Sequence, residues 1–412
     1  MDSHQESQDG LPVGGEHLAD VTRPVNPDTG ETMPADPTPS GAEPPEAIIR
    51  PEDSILRELE EQRPKTPVAL LSADEKGRLV ERGFLGLYRW YVARSQETRN
   101  WNPDTSFDLV NLRKDHSDVV HTIIEGFFAV EQYVPDYVTA LMKVIRRSHG
   151  RSHFHLRWGS EEEKHADMWR NAVLFGGKRS LDWTEEYMGD LRSGEWKLPW
   201  EDPLHMIFYT VFQERATQVN YLNLGLVAKG LHTNPAFAND ADPVLAKMCQ
   251  TIAVDEAAHY NFFLEGARLF LYYYPEESTQ AMIDVLRHFG MPAGEIIPNY
   301  GSFAETLYKH GIYGPREHSK DVVKIALEQL GAESLRAVEK GLRESRMVPD
   351  LNGHMRHTGI FESIDFSFVE AKVQRLFGKI VDFENKIGVA KEQLTNFVIN
   401  PGASPRFFPN SA

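Results

Sequence analysis

Two Glu-x-x-His motifs, Glu162-Glu163-Lys164-His165 and Glu256-Ala257-Ala258-His259, constrain this chain more than any other feature. Each stands in a helix-like stretch and follows a lone glutamate in apolar surroundings, Glu131 before the first and Glu214 before the second. Residues three apart lie on one helix face, so each motif can close on one side of a single site. Two further helices would each add one carboxylate. Burying four uncompensated carboxylates costs several kcal/mol each, and two divalent cations would balance them. Carboxylate with imidazole suits iron or manganese better than a thiolate-seeking metal. The order Glu, ExxH, Glu, ExxH is the ligand set of a dinuclear centre in a ferritin-like four-helix bundle. With 16 His in the chain, one ExxH alone would be a chance match, so the order and spacing carry the reading. The gaps of 31 residues (Glu131 to Glu162) and 42 residues (Glu214 to Glu256) each fit a helix, a turn and part of the next helix.

The remaining composition sets the context. Residues 1–50 hold eight Pro and ten acidic residues against two Arg, which accounts for about half of the net charge of −17. With no hydrophobic period before about Ile55, residues 1–52 read as a disordered, acidic, Pro-rich tail. This stretch lacks the apolar run of a secretory signal and is too acidic for a transit peptide. No apolar stretch reaches transmembrane length, and the acidic balance does not favour nucleic acid. The single Cys249 cannot form an internal disulfide and fits a reducing, bacterial-type cytoplasm. We expect Cys249 to be a core residue.

Helical periodicity dominates from about residue 68, with no convincing strand alternation. The expected elements are a helix from Ala73 to about Gln96, capped by Ser72 with Glu75, and a helix after Asp115 running to Ile145 with a kink at Pro135. A basic, His-rich connection (Arg146 to Arg157) follows, then a helix from Ser160 to Gly176, one from Pro203 past Leu224, and one from Val244 to about Tyr272. Later helices are expected near Ser278–Phe289, Phe303–His310, Lys320–Glu344 and Phe366–Leu394. The fold class is therefore all-α: a ferritin-like helical bundle with a four-helix di-iron core and flanking helices. Its domain would span 53–345, with 346–412 a divergent C-terminal extension carrying an amphipathic helix. The repeated Glu-then-ExxH order points to a duplicated helix hairpin.

Four stretches are similar to the soluble acyl-[acyl-carrier-protein] desaturase family. Glu131-Gln132-Tyr133-Val134-Pro135-Asp136-Tyr137 resembles E-E-A-L-P-T-Y, and Glu161-Glu162-Glu163-Lys164-His165-Ala166-Asp167 resembles E-E-N-R-H-G-D. Phe212-Gln213-Glu214-Arg215-Ala216-Thr217 equals F-Q-E-R-A-T, and Ala253-Val254-Asp255-Glu256-Ala257-Ala258-His259 resembles A-A-D-E-K-R-H. The resemblance covers roughly residues 70–340. The shorter Glu131–Glu162 gap, the acidic tail and the stretch beyond Arg346 depart from the family pattern.

The resemblance implies a role for each matching residue. Glu131, Glu162, His165, Glu214, Glu256 and His259 would ligate two iron ions. Thr217 would line an oxygen pocket beside them; the alternative is a hydroxyl bonded back to the helix carbonyl. Asp255 would hold the outer ring nitrogen of His165 and fix its tautomer. Trp101, in Asn-Trp-Asn-Pro, would extend that contact to the surface as an electron path.

The implied activity is oxygen-dependent introduction of a cis double bond into a carrier-bound fatty acyl chain. O2 would be the co-substrate, with an acyl carrier protein and a ferredoxin-type donor as partners and a homodimer as the assembly. A related di-iron hydroxylase or N-oxygenase acting on a carrier-bound substrate is the alternative. Phe127, Phe128, Tyr133, Tyr137, Met142 and Phe208 are candidates to line an acyl tunnel. The basic Arg146–Arg157 stretch is the candidate carrier surface.

Overall fold

A computed structural model describes Val68 and residues 71–349 and 355–388 of the chain. The acidic tail, 1–52, lies outside them.

Helix α1, Ala73–Thr98, starts on the expected capping box between Ser72 and Glu75. Helix α2, Asp118–Glu131, ends sooner than the sequence implied, and α3, Val134–Ile145, begins a new helix. Pro135 has no N–H to offer the Glu131 carbonyl, and its ring would clash with that carbonyl in a continuous helix. The result is a break rather than a kink, and it leaves Glu131 on the last residue of α2.

Helix α4, His149–Phe175, starts well before the expected Ser160, so most of the basic stretch is helical rather than a connection. The Ser148 hydroxyl caps it, accepting from the Arg151 N–H. Gly150 permits this early start against α1, because a Cβ there would lie 2.4 Å from the Phe84 carbonyl carbon.

Helix α5 spans Leu181–Leu191. Helices α6, Pro203–Ala228, and α7, Pro243–Tyr273, each begin Asp-Pro; Asp202 and Asp242 each accept from two N–H groups of the first turn. Proline at N1 lacks only an N–H that would have gone unpaired there anyway.

Helices α2, α4, α6 and α7 form a ferritin-like four-helix core in which α6 packs along α7 and α2 along α4. Along α4 and α7 the two ExxH motifs fall between two apolar clusters. One holds Phe154, Trp158, Tyr260 and Phe262, the other Met168, Trp169, Ile252 and Ala253. The polar residues are therefore sealed on both sides. Cys249 is buried in the second cluster, and burial pushes its thiol up.

The flanking elements differ more from expectation. After α8, Pro275–Arg287, and α9, Tyr300–His310, a helical turn at Pro315–Glu317 passes through a π-helical segment, His318–Val323, into α10, Lys324–Gln329. Gly331, at φ +79°, stops that helix in the left-handed region where glycine is at ease. Ser334 then caps a separate α11, Leu335–Arg343, so the expected single helix 320–344 is broken. Two short strands, β1 Met347–Pro349 and β2 Met355–His357, pair antiparallel. They are an addition to the strand-free expectation. Helix α12 spans Thr358–Ser363, and α13, Phe366–Ile387, packs on α1 and α7. A buried Arg82–Glu384 ion pair at 2.6 Å joins α13 to α1. No described helix is long and apolar enough to cross a membrane.

Candidate metal centre

The core brings all six candidate ligands together, each one buried. One ligand atom each from Glu131, Glu162, His165 and Glu256 lies within 4.8 Å of the others, and the same holds for Glu162, Glu214, Glu256 and His259. The two groups share Glu162 and Glu256. His165 Nδ1 lies 3.2 Å from Glu162 Oε2 and 3.4 Å from Glu256 Oε1. His259 Nδ1 lies 2.9 Å from Glu162 Oε1 and 3.7 Å from Glu256 Oε2. Each shared carboxylate thus offers one oxygen to each side, the disposition of a bridge between two cations. Glu214 Oε2, 3.5 Å from His259 Nδ1, closes one end, and Glu131 belongs to the other.

The hydrogen bonding shows that these residues fit cations. Glu214 Oε2 and both Glu256 oxygens are buried without a hydrogen-bond partner. Each such atom costs roughly 1–3 kcal/mol if nothing binds it. Burial, and then the Glu162 charge, push the Glu131 carboxyl up to about 8. Burial and Glu256 raise Glu214 well above the carboxylate range. Burial would raise Glu162 too, but His165 and His259 outweigh it and hold Glu162 low. Burial thus favours the protonated form of two carboxyls in the absence of cations, and metal binding would displace those protons.

An outer layer fixes the inner one. His165 Nε2 lies 3.2 Å from Asp255 Oδ2, which also accepts from Trp101 Nε1 at 2.8 Å. His259 Nε2 lies 3.0 Å from Glu161 Oε2. Both imidazoles therefore turn Nε2–H outward to a carboxylate and Nδ1 inward. Glu161 also accepts from Tyr91, Ser95 and Arg157. Tyr221 donates to Glu131, and Trp158 Nε1 donates to Glu214 Oε1 at 3.0 Å.

Of this outer layer the sequence motifs point to Asp255 and Trp101 but not to Glu161, Tyr91, Ser95, Trp158 or Tyr221. Glu161 was within reach, because it precedes Glu162 as Asp255 precedes Glu256. The other four come from helix faces that no local motif marks.

A pocket, partly open to solvent, reaches the cluster at Glu131, Glu162 and Thr217. A second pocket shares Leu141, Met206 and Thr210 with it, so the two abut. Beyond the cluster their walls are mostly apolar. Thr217 faces the cavity, but its hydroxyl donates to the Gln213 carbonyl at 3.1 Å and accepts from Gln213 Nε2 at 3.1 Å. Of the expected tunnel residues Tyr137 lines the cavity. Phe127 and Phe128 pack into one apolar cluster, Tyr133 and Phe208 into the other, and Met142 is half-buried on α3. Aromatics at helical spacing do not reveal which face meets a void.

The profile of the fatty acid desaturase family matches residues 104–358. The chain belongs to that family. Among curated relatives, this desaturase-family chain is 29% identical over 185 residues to the chloroplastic stearoyl-[acyl-carrier-protein] 9-desaturase 6 of Arabidopsis thaliana, covering 43% of this chain and 45% of that one. It is 25% identical over 271 residues to the seed-specific chloroplastic stearoyl-[acyl-carrier-protein] 9-desaturase of Brassica napus, covering 59% and 64%. The chain thus spans about half to just under two thirds of the length of these relatives. The solved structure of DesA2 from Mycobacterium tuberculosis H37Rv aligns over 61% of this chain and 94% of its own, at 18% identity and a TM-score of 0.43.

Proposed function

We propose that the chain is an acyl-[acyl-carrier-protein] desaturase that introduces a cis double bond into a carrier-bound acyl chain. One observation carries the reading. Two cation-ready groups sharing Glu162 and Glu256 meet a largely apolar cavity at Glu131 and Thr217.

A bound iron pair would supply, with O2, two external electrons and two protons, the oxidising power that removes two hydrogens from adjacent carbons and releases two waters. The chain's own residues provide the setting. Glu131, Glu162, His165 and Glu256 would hold one iron and Glu162, Glu214, Glu256 and His259 the other, and Asp255 and Glu161 hold the imidazoles in the metal-binding tautomer. The apolar walls exclude water and align the methylenes beside the cluster. Thr217 and Gln213 form the polar rim where the cavity meets it. The contact from Trp101 through Asp255 to His165 supports an electron route from a ferredoxin-type donor. The names of the relatives support an acyl carrier as the substrate's handle, and a homodimer is the proposed assembly.

The test is incubation of iron-loaded protein with a panel of acyl carrier proteins, ferredoxin, its reductase, NADPH and O2, with products read by mass spectrometry. A product lighter by two hydrogens, absent with Glu162→Ala, is expected. A product heavier by one oxygen would move the assignment to a hydroxylase or N-oxygenase.

A further inference from the structure

The carboxylates behind the two histidines share one buried cation. Arg99 Nε lies 3.5 Å from Asp255 Oδ1, and its Nη2 lies 4.0 Å from Glu161 Oε2. The other cations near these carboxylates each come within ion-pair distance of one of them. Lys164 Nζ is 3.8 Å from Asp255, and Arg157 Nε is 3.1 Å from Glu161. Among the described residues, Arg99 is the cation within ion-pair distance of both.

Its own placement is well determined. Arg99 caps the C-terminus of α1, with its N–H bonded to the Ser95 carbonyl at 3.0 Å. Its guanidinium lies over the Tyr91 ring at 4.8 Å, and its carbonyl accepts from Lys164 Nζ at 3.0 Å. Ser95 and Tyr91, the hydroxyl donors to Glu161, stand four and eight residues earlier on the same face of α1. None of these three residues falls in the 104–358 range that the family profile matches.

We propose that Arg99 is a positioning residue that ties the two imidazole supports into one unit. The inference rests on the dinuclear reading. The buried guanidinium charge lies within ion-pair distance of both carboxylates without hydrogen-bonding either, and its attraction keeps Asp255 and Glu161 behind Nε2 of His165 and His259, so that both rings present Nδ1 to the centre together. Without that charge the two buried carboxylates lose their common partner and turn toward Lys164 and Arg157, carrying both rings off their ligand geometry. Helix α1, outside the four-helix core, thereby sets the affinity of both metal positions.

The test is equilibrium titration of full-length apoprotein with Co(II), followed by visible absorption and chelator competition, with circular dichroism of the apo forms alongside. Arg99→Gln should weaken both Co(II) equivalents about tenfold or more. Arg99→Lys should recover much of that loss, while Tyr91→Phe should affect one equivalent. Wild type that does not take two Co(II) overturns the dinuclear reading and this inference with it. Wild type that takes two, with Arg99→Gln indistinguishable from it, overturns this inference alone. Arg99→Lys no better than Arg99→Gln overturns it too, by removing charge from the explanation. Loss of fold in both Arg99→Gln and Arg99→Met assigns Arg99 to packing, with the same consequence.

Discussion

Glu161, on α4, lies 3.0 Å from Nε2 of His259, on α7. The reverse contact, Asp255 of α7 with His165 of α4, has the same form. In each case the partner is the residue just before the other motif's own glutamate. The two motif helices therefore brace each other's histidines, as two copies of one hairpin facing each other would. Partners of ligating histidines typically tune metal affinity 10–100-fold. Glu161→Gln and Asp255→Asn should each weaken one of two metal equivalents within that range and leave the other nearly intact. Stoichiometric iron binding under anaerobic chelator competition checks this. Equal loss of both equivalents in each variant would contradict separate bracing.

The metal-free protein should lose stability as pH rises. Burial first, then Glu162, raise the Glu131 carboxyl from 4.5 to about 8, and burial with Glu256 raises Glu214 well above 4.5. Between the unfolded and folded values the native state binds more protons than the unfolded chain, so stability falls with rising pH across that window. His165 adds the same sign above 6.5. Burial alone would lower its pKa, but Glu162, Asp255 and Glu256 raise it well above the ordinary value. Glu162, held low, acts only below 4.5, where its contribution is lost on acidification. Bound divalent metal replaces the protons, so the gap in Tm between metal-loaded and apo protein should widen from about pH 5 to about pH 8. A gap that narrows over that range would show that these carboxyls are not the metal's binding groups.

The junction of the two cavities should set which acyl chains are accepted. Leu141, Met206 and Thr210 line both. Met206→Trp places a large ring at that passage at a stability cost of roughly 1–3 kcal/mol. The expected outcome is preference for shorter acyl chains in a competition assay, with iron stoichiometry unchanged, because residue 206 lies two turns before Glu214. An unchanged chain-length ratio would mean that the substrate does not pass the junction.

How far the sequence disclosed this architecture depends on the kind of signal. The Glu162–His165 and Glu256–His259 pairs were legible because i, i+3 spacing places two groups on one face whatever the tertiary context, and the candidate ligands Glu131 and Glu214 because each stands alone in an apolar stretch. The capping box of Ser72 and Glu75 was legible because it acts within one turn. The break after Glu131 was less so. Pro135 announces a disturbance, and only packing against α4 decides between a kink and two helices. The basic stretch read as a connection because charge suggested solvent. In fact Arg151 is buried against the Phe84 ring and paired with Glu81 at 2.8 Å, which makes the stretch part of α4. Tyr91, Ser95 and Arg99 were invisible for a third reason. Their role comes from meeting Glu161 some 60 to 70 residues away, and nothing local to α1 encodes that meeting.

The exposed end of that stretch carries the last prediction. Lys143, Arg146 and Arg147 are exposed where α3 gives way to α4. Neither arginine is paired with a carboxylate among the described residues. Beside them the His149 and His153 rings stack at 4.0 Å, and Tyr88 packs against both. In a chain of net charge −17 this is a local reversal of sign. An acidic carrier would be repelled by the chain as a whole and drawn to this patch. Arg146→Glu with Arg147→Glu should raise KM for the carrier-bound substrate on the order of tenfold, with kcat little changed. Added salt should weaken wild type toward the variant, because exposed charges are screened over about a Debye length of 10 Å at 0.1 M. A KM insensitive both to the substitutions and to salt would place the carrier elsewhere on the surface.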